Sequence, residues 1–207
     1  MSFPSHEAEW LVTLLHVSGK GMVGIAHPHC GDGAAVAAMR DALSCEVHTY
    51  VCEPDEESAA LAEDALGECL CARYDTLRWQ SGIAQILLLN PPRTDGKGEL
   101  AMLREMQDVL AKDGILLYIL HQSNLTHSIA ARLATHFDVL DIHPIGDPAG
   151  RVAVIARRRE KRLDDEVKAQ LMAIGKGAPS GAALWHRPSQ PIPVSARGHR
   201  EFHLRRK

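Results

Sequence analysis

No apolar run in this chain of 207 residues approaches the roughly 20 residues needed to span a bilayer. The first residues, Met1-Ser2-Phe3-Pro4-Ser5-His6-Glu7, also lack the basic start and apolar stretch of a signal peptide. A cytoplasmic protein without membrane contact is the expectation. Five cysteines, Cys30, Cys45, Cys52, Cys69 and Cys71, are an odd number with no secretion signal, and they read as reduced thiols, mostly small core residues. Cys69-Leu70-Cys71 has the wrong spacing for a zinc knuckle, and no His-x-x-x-His pair falls on an expected helix despite twelve histidines. No metal site is expected.

With 45% hydrophobic residues, the chain can bury one substantial core with a tail left over. The net charge of -3 hides a division. Residues 1–157 carry 11 Lys and Arg against 21 Asp and Glu, a balance of -10, whereas residues 158–207 carry 12 against 5, a balance of +7. The expected organisation is an acidic domain, 1–157, followed by a basic extension, 158–207. Such a tail fits nucleic acid phosphates, an acidic partner, the domain's own surface or plain solvent. It contains Pro179, Pro188, Pro191 and Pro193 and few apolar residues, too few for a core of its own. If ordered, it docks on the domain or on another subunit.

Hydrophobic periodicity predicts strands and helices in alternation. Helical spacing covers Glu9 to Leu15, Ala34 to Met39, Asp55 to Leu66, Glu99 to Ala111, about Thr126 to Ala134, and Glu160 to Ala173. Strands are expected at Met22 to Ala26, Glu46 to Cys52, Cys69 to Ala72, Ala84 to Leu89, Ile115 to Leu120, Phe137 to His143 and Arg151 to Arg157. This alternation predicts a doubly wound α/β domain with a mostly parallel, Rossmann-like sheet. The last two strands are joined by a loop, Pro144 to Gly150, too short for a helical crossover. They should pair antiparallel near one edge.

The chemistry sits at the ends of two of these strands. After Ile86-Leu87-Leu88-Leu89 comes Asn90-Pro91-Pro92-Arg93, about sixty residues beyond the glycine turn His27-Pro28-His29-Cys30-Gly31-Asp32-Gly33. A conjugated amino nitrogen becomes a nucleophile only if its N–H groups are bonded so that it can pyramidalise. An Asn side-chain carbonyl followed by a Pro carbonyl supplies two neutral acceptors, and the prolines hold them still. Glu53 and Asp75 follow the second and third strands, where each can also cap the next helix or turn. Asp32 reads equally as a turn former. Trp79 and Trp185 read as packing residues.

In order and spacing, residues 1–157 resemble the class I S-adenosylmethionine-dependent methyltransferases. The likeness is to the amino-methyltransferases that act on adenine, whose glycine turn runs Asp-Pro-x-Cys-Gly-x-Gly. Pro28, Cys30, Gly31 and Gly33 match it, with His27 in place of the leading acid. The Phe3-Pro4-Ser5 opening resembles the methyltransferase-like proteins of plasmids and phages. What this resemblance implies is a seven-stranded, mostly parallel sheet with one reversed strand near an edge, and S-adenosylmethionine as cofactor. Phe3 and Ser5 would reach its carboxylate, His27, Pro28, Gly31 and Gly33 its methionine end, Glu53 its ribose hydroxyls and Asp75 its adenine.

On the acceptor side the resemblance implies Asn90, Pro91, Pro92 and Arg93 as the catalytic group. Arg93 stands where an aromatic residue would stack on an extruded base. A guanidinium plane also stacks on bases, or it contacts a phosphate or carboxylate. The leading expectation is N-methylation of adenine in nucleic acid, DNA before RNA, with a protein partner or a second copy engaged through the extension. Two alternatives stay open: a degenerate methyltransferase fold kept as a nucleic-acid- or protein-binding module, and methylation of a protein glutamine or a small molecule.

Overall fold

A computed structural model describes residues 3–19, 21–92, 96–146, 150–178, 191–197 and 204–206. Arg93 and Trp185 lie outside these residues, as do Pro179 and Pro188. In chain order the elements are α1 (Ser5–Thr13), β1 (Leu15–Ser18), β2 (Met22–Pro28), α2 (Ala34–Ala42), β3 (Glu46–Glu53), α3 (Glu56–Leu66) and β4 (Leu70–Cys71). Then come β5 (Leu77–Arg78), β6 (Ala84–Leu89), α4 (Lys97–Met106), β7 (Leu110–His121), α5 (His127–His136), β8 (Phe137–Ile145), β9 (Arg151–Arg158), α6 (Asp165–Gly175), β10 (Ile192–Ser195) and β11 (Arg205–Arg206).

Seven strands form the main sheet in the order β4-β3-β2-β6-β7-β9-β8. Only β9 runs against its neighbours, pairing antiparallel with both β7 and β8. The expected hairpin is present, with its second strand inserted between β7 and β8. Alternation along each strand feeds two cores, one on each face of the sheet. Ile86 and Leu88 of β6 face α1 and α2, joining Leu11, Val36 and Met39. Leu87 and Leu89 face the other way, joining Met102 and Leu103 of α4, Ile129 and Leu133 of α5, and Leu171 and Ile174 of α6.

Two expected helices end early, for the same nonlocal reason. The helix over Glu99 to Ala111 stops at Met106 because Leu110 enters β7 opposite Ala84, so two apolar residues that continue the helical face serve the sheet instead. Asp113, at φ 63°, then carries β7 through the irregularity between its two paired stretches. The helix over Glu9 to Leu15 stops at Thr13, and Leu15–Ser18 pairs in parallel with β10. Ile192 and Ala196 donate to the Leu14 and Ser18 carbonyls from alternate positions, so Pro193 falls where no donor is needed.

Described parts of the extension are tied to the domain. Leu171 and Ile174 are fully buried against the α4 and α5 side, Ile192 and Val194 lie in the core beneath α1, and β11 pairs antiparallel with β5.

Candidate active site

Strand order reverses between β2 and β6. From β2 the chain winds outward to β3 and β4, whereas β6 leads the other way to β7, which leaves a crevice beyond the carboxyl ends of β2 and β6. The glycine turn and Asn90 flank that crevice. Behind them the two strands share only two paired positions, Ile25 with Ile86 and Ala26 with Leu87. Side chains complete the join. Gln85 accepts the Gly24 N–H at 2.7 Å, and His27 Nδ1 lies 2.9 Å from the Leu88 carbonyl. A carbonyl only accepts, so Nδ1 carries the proton. Burial lowers the His27 pKa to about 4, so at neutral pH the ring is uncharged. His27 therefore binds β2 to β6 without placing a positive charge at the crevice.

On the β3 side, Glu53 is buried at the strand end. Its Oε2 accepts the Gly31 N–H at 2.9 Å and its Oε1 accepts the Asp55 N–H at 3.2 Å. Asp55, and not Glu53, caps α3, accepting from the Ser58 N–H at 2.9 Å. The carboxylate is thus fixed by backbone donors on two sides and keeps a further lone pair on each oxygen. Around it, His29 takes a left-handed φ of 63°, and its Nδ1 lies 4.0 Å from Glu53 Oε2. Burial holds the His29 pKa below its ordinary value, against the attraction of Glu53. Tyr74 tilts toward the His29 ring at 5.8 Å between centroids.

The two glycines of the turn have different duties. Gly31, at φ 60°, presents its N–H to Glu53. Gly33, at φ 77°, is the N-cap of α2, and a Cβ there would come within 3.0 Å of the Ala62 Cα. Its smallness lets α3 approach the turn. Asp32 accepts the Ala34 N–H at 3.1 Å, acting as a turn former.

Across the crevice, Asn90 is half-buried, Pro91 buried and Pro92 exposed. Asn90 Oδ1 accepts from Arg151 Nη2 at 3.0 Å. A guanidinium only donates, so this contact fixes which end of the amide is oxygen. Arg151 opens β9, and its guanidinium carbon lies 5.8 Å from the centre of the buried Phe3 ring. Phe3 is therefore a core residue that backs Arg151, while Ser5 is exposed at the start of α1. Near the start of α4 the Tyr118 hydroxyl donates to the Glu99 carbonyl at 2.9 Å.

Asp75 lies in a short 3-10 turn after β4 and takes a two-pronged contact from Arg73, at 3.0 and 2.7 Å. Trp79 packs on the core and donates to the Tyr74 carbonyl at 3.0 Å. Three residues near the crevice escaped the sequence reading: His29, Tyr74 and Arg151. Of these only His29 had a local signal, its place inside the glycine turn. Among the described residues no cluster of three or more His, Cys, Asp or Glu is arranged to hold a metal ion, and no helix is long and apolar enough to cross a membrane.

The strand order, the single reversed strand and the crevice at the switch point define a Rossmann-like α/β fold, one that solved methyltransferases share. No protein-family model matches the chain, and no curated protein does. Solved structures do match in fold. A predicted O-methyltransferase from Agrobacterium tumefaciens shares 23% identity over 75% of this chain and 83% of its own, with a TM-score of 0.56. M. jannaschii TYW2, crystallised with AdoMet, shares 10% identity over 79% of this chain and 78% of its own, with a TM-score of 0.58. A Burkholderia thailandensis 1,6-didemethyltoxoflavin-N1-methyltransferase, with its substrate and S-adenosylhomocysteine bound, shares 14% over 75% and 78%, with a TM-score of 0.57. At these identities the likeness concerns the fold.

Proposed function

We propose that this chain is an S-adenosylmethionine-dependent N-methyltransferase acting on the adenine amino group in nucleic acid, DNA before RNA. The observation that carries the reading is the pairing of Glu53 and Asn90 on opposite sides of one crevice at the switch point. The residues present fit the cofactor. Glu53 is held by two backbone N–H groups with lone pairs to spare for two ribose hydroxyls, and the neutral His27 does not repel a cation. When bound, S-adenosylmethionine supplies an electrophilic methyl group on a sulfonium.

The chain's own residues have three tasks. Glu53 and the Gly31 turn hold and orient the cofactor; Asp75, gripped by Arg73 through both oxygens, would accept from an adenine amino group with a remaining lone pair. Asn90 Oδ1 and the Pro91 carbonyl accept the two N–H groups of the acceptor, which frees the nitrogen lone pair for in-line attack. Arg151 occupies one lone pair of Oδ1 and leaves the other, so it orients the amide without excluding the substrate. The proton leaves afterwards to water. The basic extension, balance +7, would contact phosphates, and Arg93 the extruded base or its phosphate.

The same Arg151 contact favours a second reading, a binding module in which the Asn90 carbonyl has been given permanently to a neighbouring strand. Methyl transfer from labelled S-adenosylmethionine to DNA, RNA, protein and small-molecule acceptors separates the two. The enzyme reading expects label in DNA, and label confined to protein or small molecules rejects adenine as the acceptor. No label anywhere, with DNA binding lost when the exposed Lys161, Arg162 and Lys176 of the extension are changed to Glu, favours the module.

A further inference from the structure

Four of the five cysteines cluster near the glycine turn or along the strands beside it. Two of them touch. Cys30, buried inside the turn, has its sulfur 3.7 Å from that of Cys69, and Cys69 is half-exposed just ahead of β4. Both flank Glu53: Cys30 adjoins the glycine whose N–H the carboxylate accepts, and the Glu53 backbone helps hold the Cys69 pKa down.

We propose that Cys30 and Cys69 are a peroxide-responsive dithiol that closes to a disulfide across the base of the glycine turn. A disulfide brings its sulfurs to about 2.05 Å, a short step from this contact. The asymmetry of the pair assigns the roles. Cys69 is reachable by solvent and Cys30 is not, so Cys69 meets the peroxide, and the contact with the Cys30 thiol holds the Cys69 pKa below its ordinary value. The same contact, together with burial, pushes the Cys30 thiol up, so it is the resolving partner. Cys69 sulfur attacks one peroxide oxygen, the O–O bond breaks, and a sulfenic acid and one water result. The Cys30 sulfur then attacks the Cys69 sulfur, its proton leaves with the displaced hydroxide as a second water, and the S–S bond forms. Two thiols and one peroxide become one disulfide and two waters.

Closure pulls the turn toward β4 and shifts the Gly31 N–H against Glu53. The bridge itself is independent of the cofactor reading, whereas its effect on S-adenosylmethionine affinity rests on that reading.

The test treats the full chain with hydrogen peroxide and follows its intact mass and its linked peptides. Expected is the loss of two hydrogens in the wild type and in Cys71→Ser, reversed by dithiothreitol, and no such loss in Cys30→Ser or Cys69→Ser. Cys30→Ala serves if the serine variant does not fold. A bridge that survives in Cys69→Ser, a bridge that needs Cys71, or oxygen addition without hydrogen loss would overturn the proposal. Calorimetric titration of the oxidised protein should show at least tenfold weaker S-adenosylmethionine binding than the reduced one. Equal affinity overturns the regulatory part, and no binding by the reduced protein defeats the cofactor reading while leaving the bridge in place.

Discussion

The two sides of the crevice are held by different means. On the side proposed for the cofactor, Glu53 is fixed by the backbone N–H groups of Gly31 and Asp55, both within 22 residues of it. On the side proposed for the methyl acceptor, Asn90 is fixed by one side chain, Arg151, from a strand 61 residues further along the chain. Backbone donors survive most substitutions of the residues that carry them, whereas a side-chain partner can be lost in one. The Glu53 half is thus the more robust part of the crevice, and the Asn90 half is the part that a single substitution can alter.

The largest contrast is expected at Asn90. Asn90→Ala should lower methyl transfer by roughly a hundred- to thousandfold, as loss of one preorganised polar group does. Affinity for S-adenosylmethionine should stay unchanged by calorimetry. Equal loss of both would mean that the halves are one unit.

Next comes the histidine that joins them. Folding holds the His27 pKa at about 4, below the roughly 6.5 of an unfolded histidine, so the unfolded chain takes up its proton first as pH falls. Its contribution is complete above about pH 6.5 and is lost progressively down to about pH 4, amounting to about 3 kcal/mol. Urea midpoints measured across that window should fall in the wild type and fall less in His27→Leu. Parallel curves would assign the acid sensitivity to other groups.

These contrasts track what could be read from the sequence. The strand ends bearing Glu53 and Asn90, the glycine turn and the reversed hairpin were legible because they depend on local periodicity and on loop length. Arg151 was not, because nothing near it in sequence says that β9 inserts beside β7 and brings residue 151 to the end of β6. The early ends of α1 and α4 escaped for the same reason: Leu15 and Leu110 keep helical spacing, yet β10 and β6 offer them strand partners. Gly33 was legible as a glycine of the motif but not in its duty. Its missing Cβ makes room for Ala62 of α3, a contact only the folded chain reveals.

Arg151→Ala should reduce methyl transfer about tenfold, the loss of one charge-assisted hydrogen bond that orients Asn90, with cofactor affinity unchanged. A rise in activity would instead mean that Arg151 blocks the acceptor. Gly33→Ala tests the cofactor side through packing alone. A Cβ in a left-handed turn 3.0 Å from the Ala62 Cα should cost about 1–3 kcal/mol, read as a lower Tm. Gly67→Ala, at φ 84° with open space around it, should cost less. Equal losses would assign the cost to backbone strain rather than to helix approach.

Isothermal titration of the reduced protein with S-adenosylmethionine, beside Glu53→Ala, bears most directly on whether the crevice is a methyl-transfer site. Saturable binding to the wild type, weakened roughly ten- to a hundredfold by loss of the carboxylate's charge-assisted hydrogen bonds, is the predicted result. No binding to the wild type, or binding that Glu53→Ala leaves untouched, would contradict it.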